Sequence, residues 1–192
     1  MVLRSRSFLA ATAIALTLAV LAVLVSAPGA EARGGACAKF GNTLPAQLKK
    51  RQARKAILCL LNRERASHGL PAFDRSKKLQ RAAQKHSARM TGSGCFEHEC
   101  PGEGDLVSRL GTVDYLLGGL GGWICAENIA WGKTTAGTPR AMMNAWMNSE
   151  GHRANILNRD LRQVGVGFAK GSPANAGAPA GTYTTDFGSR SK

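Results

Sequence analysis

Apolar and polar positions along the chain alternate between two periods, one helical and one extended. After an N-terminal apolar run, Leu48, Ile57, Leu60 and Leu61 recur at helical spacing, which predicts a helix starting in the turn of Pro45 and running to about His68, where Gly69 stops it. His68, at that helix end, suits the dipole there. A second helix is predicted from Asp74 or Ser76, with Leu79, Ala82, Ala83, His86 and Met90 along one face. His86 therefore reads as a packed, hydrogen-bonded histidine rather than a ligand. From Thr91 to Gly122 glycines dominate, with a helical turn predicted over Asp105–Leu110. Trp123 to Trp131 reads as a buried strand, and Thr138-Pro139 as the N-cap and first residue of a helix carrying Met142, Ala145 and Trp146. Val164, Val166 and Phe168 alternate with Gly165, Gly167 and Ala169 in the period of a half-buried strand. A loop from Gly171 to Gly181 leads to a last strand over Thr182–Gly188. Helices first, then strands with one helix between them, predict a layered α/β fold with a mainly antiparallel sheet.

The N-terminal run has a different meaning. Arg4 and Arg6 precede an apolar stretch from Phe8 to Val25, Pro28-Gly29 break it, and Ala30-Glu31-Ala32 offers small residues for cleavage before Arg33. This is the pattern of a secretory signal peptide over residues 1–32; the run is long enough to compete as a membrane anchor, but the cleavage-site pattern favours removal. Residues 33–43 then form an N-terminal arm, and residues 44–192 one domain, of a size that supports a single core. No later segment is long and apolar enough for a membrane span. The product is expected to be extracellular.

Charge narrows the partners. The chain carries a formal charge of +14. The signal takes two of the 26 basic and one of the 12 acidic residues with it, leaving +13. An exported basic protein meets anionic envelope polymers or acidic lipid. The basic runs Lys49-Lys50-Arg51, Arg54-Lys55 and Arg75 to Lys78 fall on separate helices and read first as solvated faces. No aromatic residues interleave with them, so no specific nucleic-acid surface is indicated. Nothing in the pattern specifies an oligomeric state. Five cysteines in an exported chain imply disulfides with one thiol left over. Cys95 with Cys100 would close a loop around His98, and Cys37 with Cys59 would tether the arm, although Cys125 could displace any of the four.

Two polar islands carry the candidate chemistry. Glu127-Asn128 interrupts an apolar run, and a buried carboxylate there needs a partner, because an unpaired buried charge costs several kcal/mol. Downstream, Ser149, His152 and Arg153 lie between a helix and a second short apolar turn, with Asn155 as a candidate cap. Arg153 reads equally as a clamp on carbonyls and as a ligand contact, and Asn128 as a satisfier of loop backbone groups.

Several segments together carry a resemblance. Asn62-Arg63-Glu64-Arg65, Phe96-Glu97-His98, Ala126-Glu127-Asn128-Ile129-Ala130, Trp146-Met147-Asn148-Ser149 with Gly151-His152-Arg153-Ala154-Asn155-Ile156-Leu157, Gly165-Val166-Gly167 and Thr184-Thr185-Asp186-Phe187-Gly188 occur in order across residues 44–188. In this the chain resembles bacterial secreted members of the CAP superfamily of cysteine-rich secretory, antigen 5 and pathogenesis-related proteins. The resemblance implies a three-layer α-β-α sandwich. It also implies a cavity with two histidines and two acids, able in some members to hold a divalent cation. His98, Glu127 and His152 match three of the four, and Ser149 stands where the second acid is usual, with Glu97, Glu99 and Glu150 as nearby carboxylates. The expected cleft is thus His98, Glu127, Asn128, Ser149, His152 and Arg153, with zinc, calcium or magnesium on His98, Glu127 and His152 as the metal reading. The implied function is a binding module for a cation, a lipid or an envelope component. The alternative is a metal-assisted hydrolase, a peptidase above all. Against a zinc-protease helix, the position four residues after His98 is Gly102 rather than histidine.

Overall fold

The computed structural model describes residues 30–117, 122–174 and 179–190, and side chains from Gly35 onward. The predicted signal peptide lies outside these residues except for its last three, which open helix α1 (Ala30–Phe40). The stretch read as an arm is therefore helical through Phe40. Most of the glycine run at 118–122 and part of the loop at 171–181 also lie outside.

Helix α2 (Lys50–Ser67) starts five residues later than its proline suggested. Gln47 and Leu48 donate to the carbonyls of Leu44 and Pro45, so the proline sits in tight turns instead. Lys49 is extended, and the Gln52 side chain accepts its N–H at 2.9 Å, which fixes the true start. Helix α3 (Lys77–Ser93) begins at Ser76, whose hydroxyl accepts from the Leu79 N–H, and ends at Gly94 in the left-handed region that glycine favours. Helix α4 (Leu106–Gly111) is capped by Asp105. Strand β2 (Trp123–Lys133) extends two residues beyond the predicted run, and Thr138 and Pro139 start α5 (Pro139–Asn148) as expected. Helix α6 (Glu150–Leu157) follows at Ser149, and β3 (Gln163–Lys170) and β4 (Ala180–Arg190) complete the chain.

The sheet runs β1-β3-β4-β2, where β1 is the two-residue segment Asp74–Arg75. β4 pairs antiparallel with both β2 and β3, but β1 lies parallel to β3. The expected mainly antiparallel sheet is thus a mixed one. The added strand is invisible to a period-two reading because only two residues pair, held by Asp74 N–H to the Arg162 carbonyl and Ser76 N–H to Val164. Asp74 consequently belongs to the sheet and not to α3.

The alternation in β3 sorts its two faces. Val164, Val166 and Phe168 join Ile57, Leu61 and Trp146 in the main core. Gly165 and Gly167 turn the other way, where a Cβ on Gly165 would come within 2.0 Å of the Gln80 backbone nitrogen and one on Gly167 within 2.1 Å of the Ala83 carbonyl oxygen. The missing side chains let α3 lie directly on the sheet, and that approach brings His86 down onto the polar centre described below. On the opposite side Arg65, wholly buried, ties α2 to the end of α6 by donating to the carbonyls of Ile156 and Asn158. Asn62 pairs reciprocally with the Phe73 backbone. These contacts explain why the Asn62–Arg65 segment is fixed, and they hold the helix that carries His152.

Two disulfides join Cys37 to Cys59 and Cys95 to Cys100, as the sequence suggested, and Cys125 is a free thiol. Among the described residues no helix is long and apolar enough to cross a membrane.

Candidate functional site

Glu127 lies in the middle of β2, and the strand pairing sets it directly opposite Asp186 of β4. Its side chain is 3% exposed, so its partners decide its state. One carboxylate oxygen accepts from His98 Nδ1–H at 2.8 Å, and the other accepts from the Arg109 guanidinium. Arg109, at the end of α4, is itself buried and also donates to the carbonyls of His98 and Gly104. The arginine therefore holds both the carboxylate and the loop that presents the histidine. The Cys95–Cys100 disulfide closes that loop from the other side.

Burial alone would push the Glu127 pKa up. The His98 hydrogen bond and the charges of His86 and Arg109 outweigh it, and the net direction is down. Asp186 goes the other way. It is fully buried, and neither of its carboxyl oxygens receives an N–H or O–H from a neighbouring residue. Burial first, and then the negative charge of Glu127, raise its pKa well above the ordinary carboxylate range. The two facing carboxyls are thus pushed in opposite directions, the division of labour expected of a pair that cannot both ionise freely.

His86 completes the interior. Its Nδ1–H donates to Glu103, and its Nε2 stands 3.8 Å from Glu127 without a hydrogen-bond partner. Burial lowers its pKa, against the opposing pull of Glu127 and Glu103. The expectation of a packed, hydrogen-bonded histidine holds, and the ring also belongs to the polar centre.

The solvent side of this centre is His98, whose side chain is 60% exposed while its Nδ1 is anchored on Glu127. That hydrogen bond raises its pKa. His152, half-buried on α6, is shifted the opposite way by burial and by the charge on His98, which places the two rings within electrostatic reach. Asn128 donates to the His152 carbonyl at 3.0 Å, and Asn155 donates to Asn128 Oδ1 and to the Glu127 carbonyl. Asn155 is thus a cross-link between α6 and β2 and not a cap. Arg153 donates to the Met147 carbonyl, which is the clamp reading. Ser149 joins α5 to α6 and makes no side-chain capping bond. Beside His98, exposed Phe96 meets Trp131 edge-on with ring centres 6.5 Å apart.

Of the residues singled out from sequence, His98 and Glu127 touch, His152 stands near, and Asn128 ties the strand to α6. Glu97 and Glu99, considered as stand-ins for the second acid, are exposed on the loop. The carboxyls at the centre are Asp186 and Glu103. Together with Arg109 they were missed. Asp186 follows only from strand register, Arg109 from the fold of a loop, and neither leaves a local pattern.

As a metal site the donor set is short. Both Glu127 oxygens are engaged by His98 and Arg109, and among the described residues no group of three His, Cys, Asp or Glu is arranged to hold an ion. A zinc site draws three or four protein ligands. The residues present offer two imidazoles and an outer carboxylate.

Comparison with known proteins agrees with the resemblance. The model of the CAP, cysteine-rich secretory protein family matches residues 58–185. YkwD of Bacillus subtilis is 35% identical over 119 residues, covering 60% of this chain and 42% of its own length. The membrane protein YlbC of the same organism is 35% identical over 117 residues, 60% of this chain and 31% of its own. The chain thus spans less than half the length of these curated relatives. Among solved structures, an extracellular protein of Bacillus anthracis containing an SCP domain superposes with a TM-score of 0.60 at 29% identity, covering 74% of this chain and 41% of that one. An outer surface protein of Borrelia burgdorferi gives a TM-score of 0.62 at 17% identity, over 74% of this chain and 96% of that one, a likeness of fold alone.

Proposed function

We propose, from the premise that this chain belongs to the CAP family of cysteine-rich secretory proteins, that it is an exported binding module built as a three-layer α-β-α sandwich. Its ligand binds beside the exposed ring of His98, on the side where His152 lies within reach of that ring's charge. The observation that carries this reading is the His98–Glu127 pair. One ring nitrogen is anchored on a buried carboxylate and the other is left to solvent, which is how a protein fixes the tautomer and aim of a recognising imidazole. Glu127 acts as the anchor, Asn128 ties its strand to α6, and Ser149 and Arg153 shape the α5–α6 junction beside His152.

Glu127 pushes His98 toward its charged form and burial pushes His152 toward its neutral one, so the pair offers a donor beside a group that can donate or accept. This suits a carboxylate-bearing component of the cell envelope, with Phe96 and Trp131 supplying apolar contact at the rim. A divalent cation bound here would rest on the two imidazoles, with Glu127 behind His98. The alternative, a metal-assisted hydrolase, would take water as its nucleophile, and Cys125 is a poor candidate for a covalent one. Burial raises the Cys125 thiol pKa, with the charges of Asp186, Asp105 and Glu127 adding to it, which opposes the thiolate a nucleophile needs.

Calorimetry of the wild type and of His98→Ala and His152→Ala tests the proposal. The probes are soluble peptidoglycan fragments with free carboxylates, and zinc, calcium and magnesium. Binding of fragments that is lost in both variants is the expected result. No binding of any probe, or binding that both variants retain, defeats the proposal.

A further inference from the structure

Away from the His98 site, three basic runs that look separate in sequence meet in space. Arg51, Arg54 and Lys55 stand at positions i, i+3 and i+4 on α2 and share one helix face with Leu58. Arg75 of β1 and Gln80 of α3 approach that face, and the six residues line a cavity of about 560 Å3. No carboxylate stands in its wall, and no salt bridge among the described residues reaches any of the four cations. Arg54 is only partly satisfied. Its Nη2 donates to Gln84 at 2.7 Å, while its Nε is buried without a partner. Arg54 and Arg75 repel one another. A solvated face would spread such charges apart; here the strand β1 carries Arg75 up against a helix that already holds three.

We propose that this cavity is a binding site for a phosphate-bearing ligand. Guanidinium forks match the paired oxygens of a phosphate, a lysine ammonium adds a point charge, and a doubly charged group offsets more of the repulsion among four cations than a single carboxylate does. The volume lies within the range of small-ligand sites. Another cavity, about 710 Å3 between α3 and α4, carries Lys85, Arg89 and Arg109 but has Glu103 in its wall, with Arg109 already paired to Glu127, and a dense anion is disfavoured there. The phosphate could be free or the headgroup of a lipid, and the chemistry recognised is the same.

The test uses inorganic pyrophosphate in calorimetry and phosphatidylglycerol vesicles in co-sedimentation, each at low and high salt. Arg51→Gln with Arg75→Gln removes two exposed cations from the cavity. Lys133→Gln with Arg159→Gln removes the same charge from exposed positions elsewhere. The cavity variant is expected to bind at least about tenfold more weakly, a loss of about 1.4 kcal/mol, while the control stays near the wild type. Loss with pyrophosphate identifies a soluble phosphate ligand, and loss with vesicles alone identifies a headgroup. Equal loss in the control, or no binding of either probe by the wild type, overturns the site. His98→Ala leaves this binding unchanged, so failure here and failure of the His98 site are separable.

Discussion

Replacing Arg109 by methionine isolates the interaction on which the polar centre depends. The substitution keeps a long side chain but removes the donor to Glu127 and to the carbonyls of His98 and Gly104. Glu127, 3% exposed, must then either stay charged with His98 as its remaining hydrogen-bonded partner or take up a proton. Protonation sets a ceiling on the electrostatic cost. For a carboxyl of ordinary pKa about 4.3 it amounts to about 3.7 kcal/mol at pH 7 and only about 1 kcal/mol at pH 5. The two orphaned carbonyls add roughly 1–2 kcal/mol that does not depend on pH. The sign follows from linkage. A carboxylate whose folded pKa is depressed contributes stability above its unfolded pKa and loses it as the pH falls through the folded value. Urea denaturation at pH 7 and pH 5 is therefore expected to show a penalty of up to about 5–6 kcal/mol at the higher pH that shrinks by about 2–3 kcal/mol at the lower. Adding Glu127→Gln to Arg109→Met should remove the pH dependence and recover part of the loss. A penalty below about 1 kcal/mol at pH 7, or one equal at both pH values, refutes the reasoning.

Asp186→Asn tests the protonated acid. Because the folded pKa of Asp186 is raised, the wild type loses stability as pH rises above the unfolded value, whereas the amide keeps a donor to Glu127 at every pH. The variant should equal or exceed the wild type in urea melts at pH 7, with the gain vanishing near pH 3; marked destabilisation at pH 7 would mean that Asp186 is ionised. Gly165→Ala drives a methyl into the α3 backbone and should cost about 3 kcal/mol, the upper end for overpacking, in the same assay; a cost under about 1 kcal/mol would show that α3 can move off the sheet.

How much of this was legible in the sequence differs by element. Ser76, Thr138-Pro139 and the Val164–Phe168 alternation are local signals, and the elements they predict occur within a few residues. The start of α2 was misplaced because a proline suits a turn as well as a first helical residue. β1 was missed because two residues carry no period, and with it went the parallel pairing. At the site, Glu127 was visible because a charge in an apolar run demands a partner, and His98 and His152 through the resemblance. Its counterparts were not. Asp186 faces Glu127 only by cross-strand register, Glu103 meets His86 only after α3 docks on Gly165 and Gly167, and Arg109 looks like any basic residue on a short helix. The basic runs failed in the same way, since Arg75 joins Arg51 and Arg54 only through the fold.

The most direct test of the binding proposal is nitrogen-resolved NMR of the His98 and His152 rings, followed through a pH titration and an addition of peptidoglycan fragments. The account predicts that His98 keeps its proton on Nδ1, titrates above the usual histidine value of about 6.5, and falls back in Glu127→Gln, while His152 titrates below that value. Ligand should then shift His98 Nε2 and the His152 ring together. An ordinary titration of His98 that Glu127→Gln leaves unchanged, with neither ring responding to ligand, would contradict it.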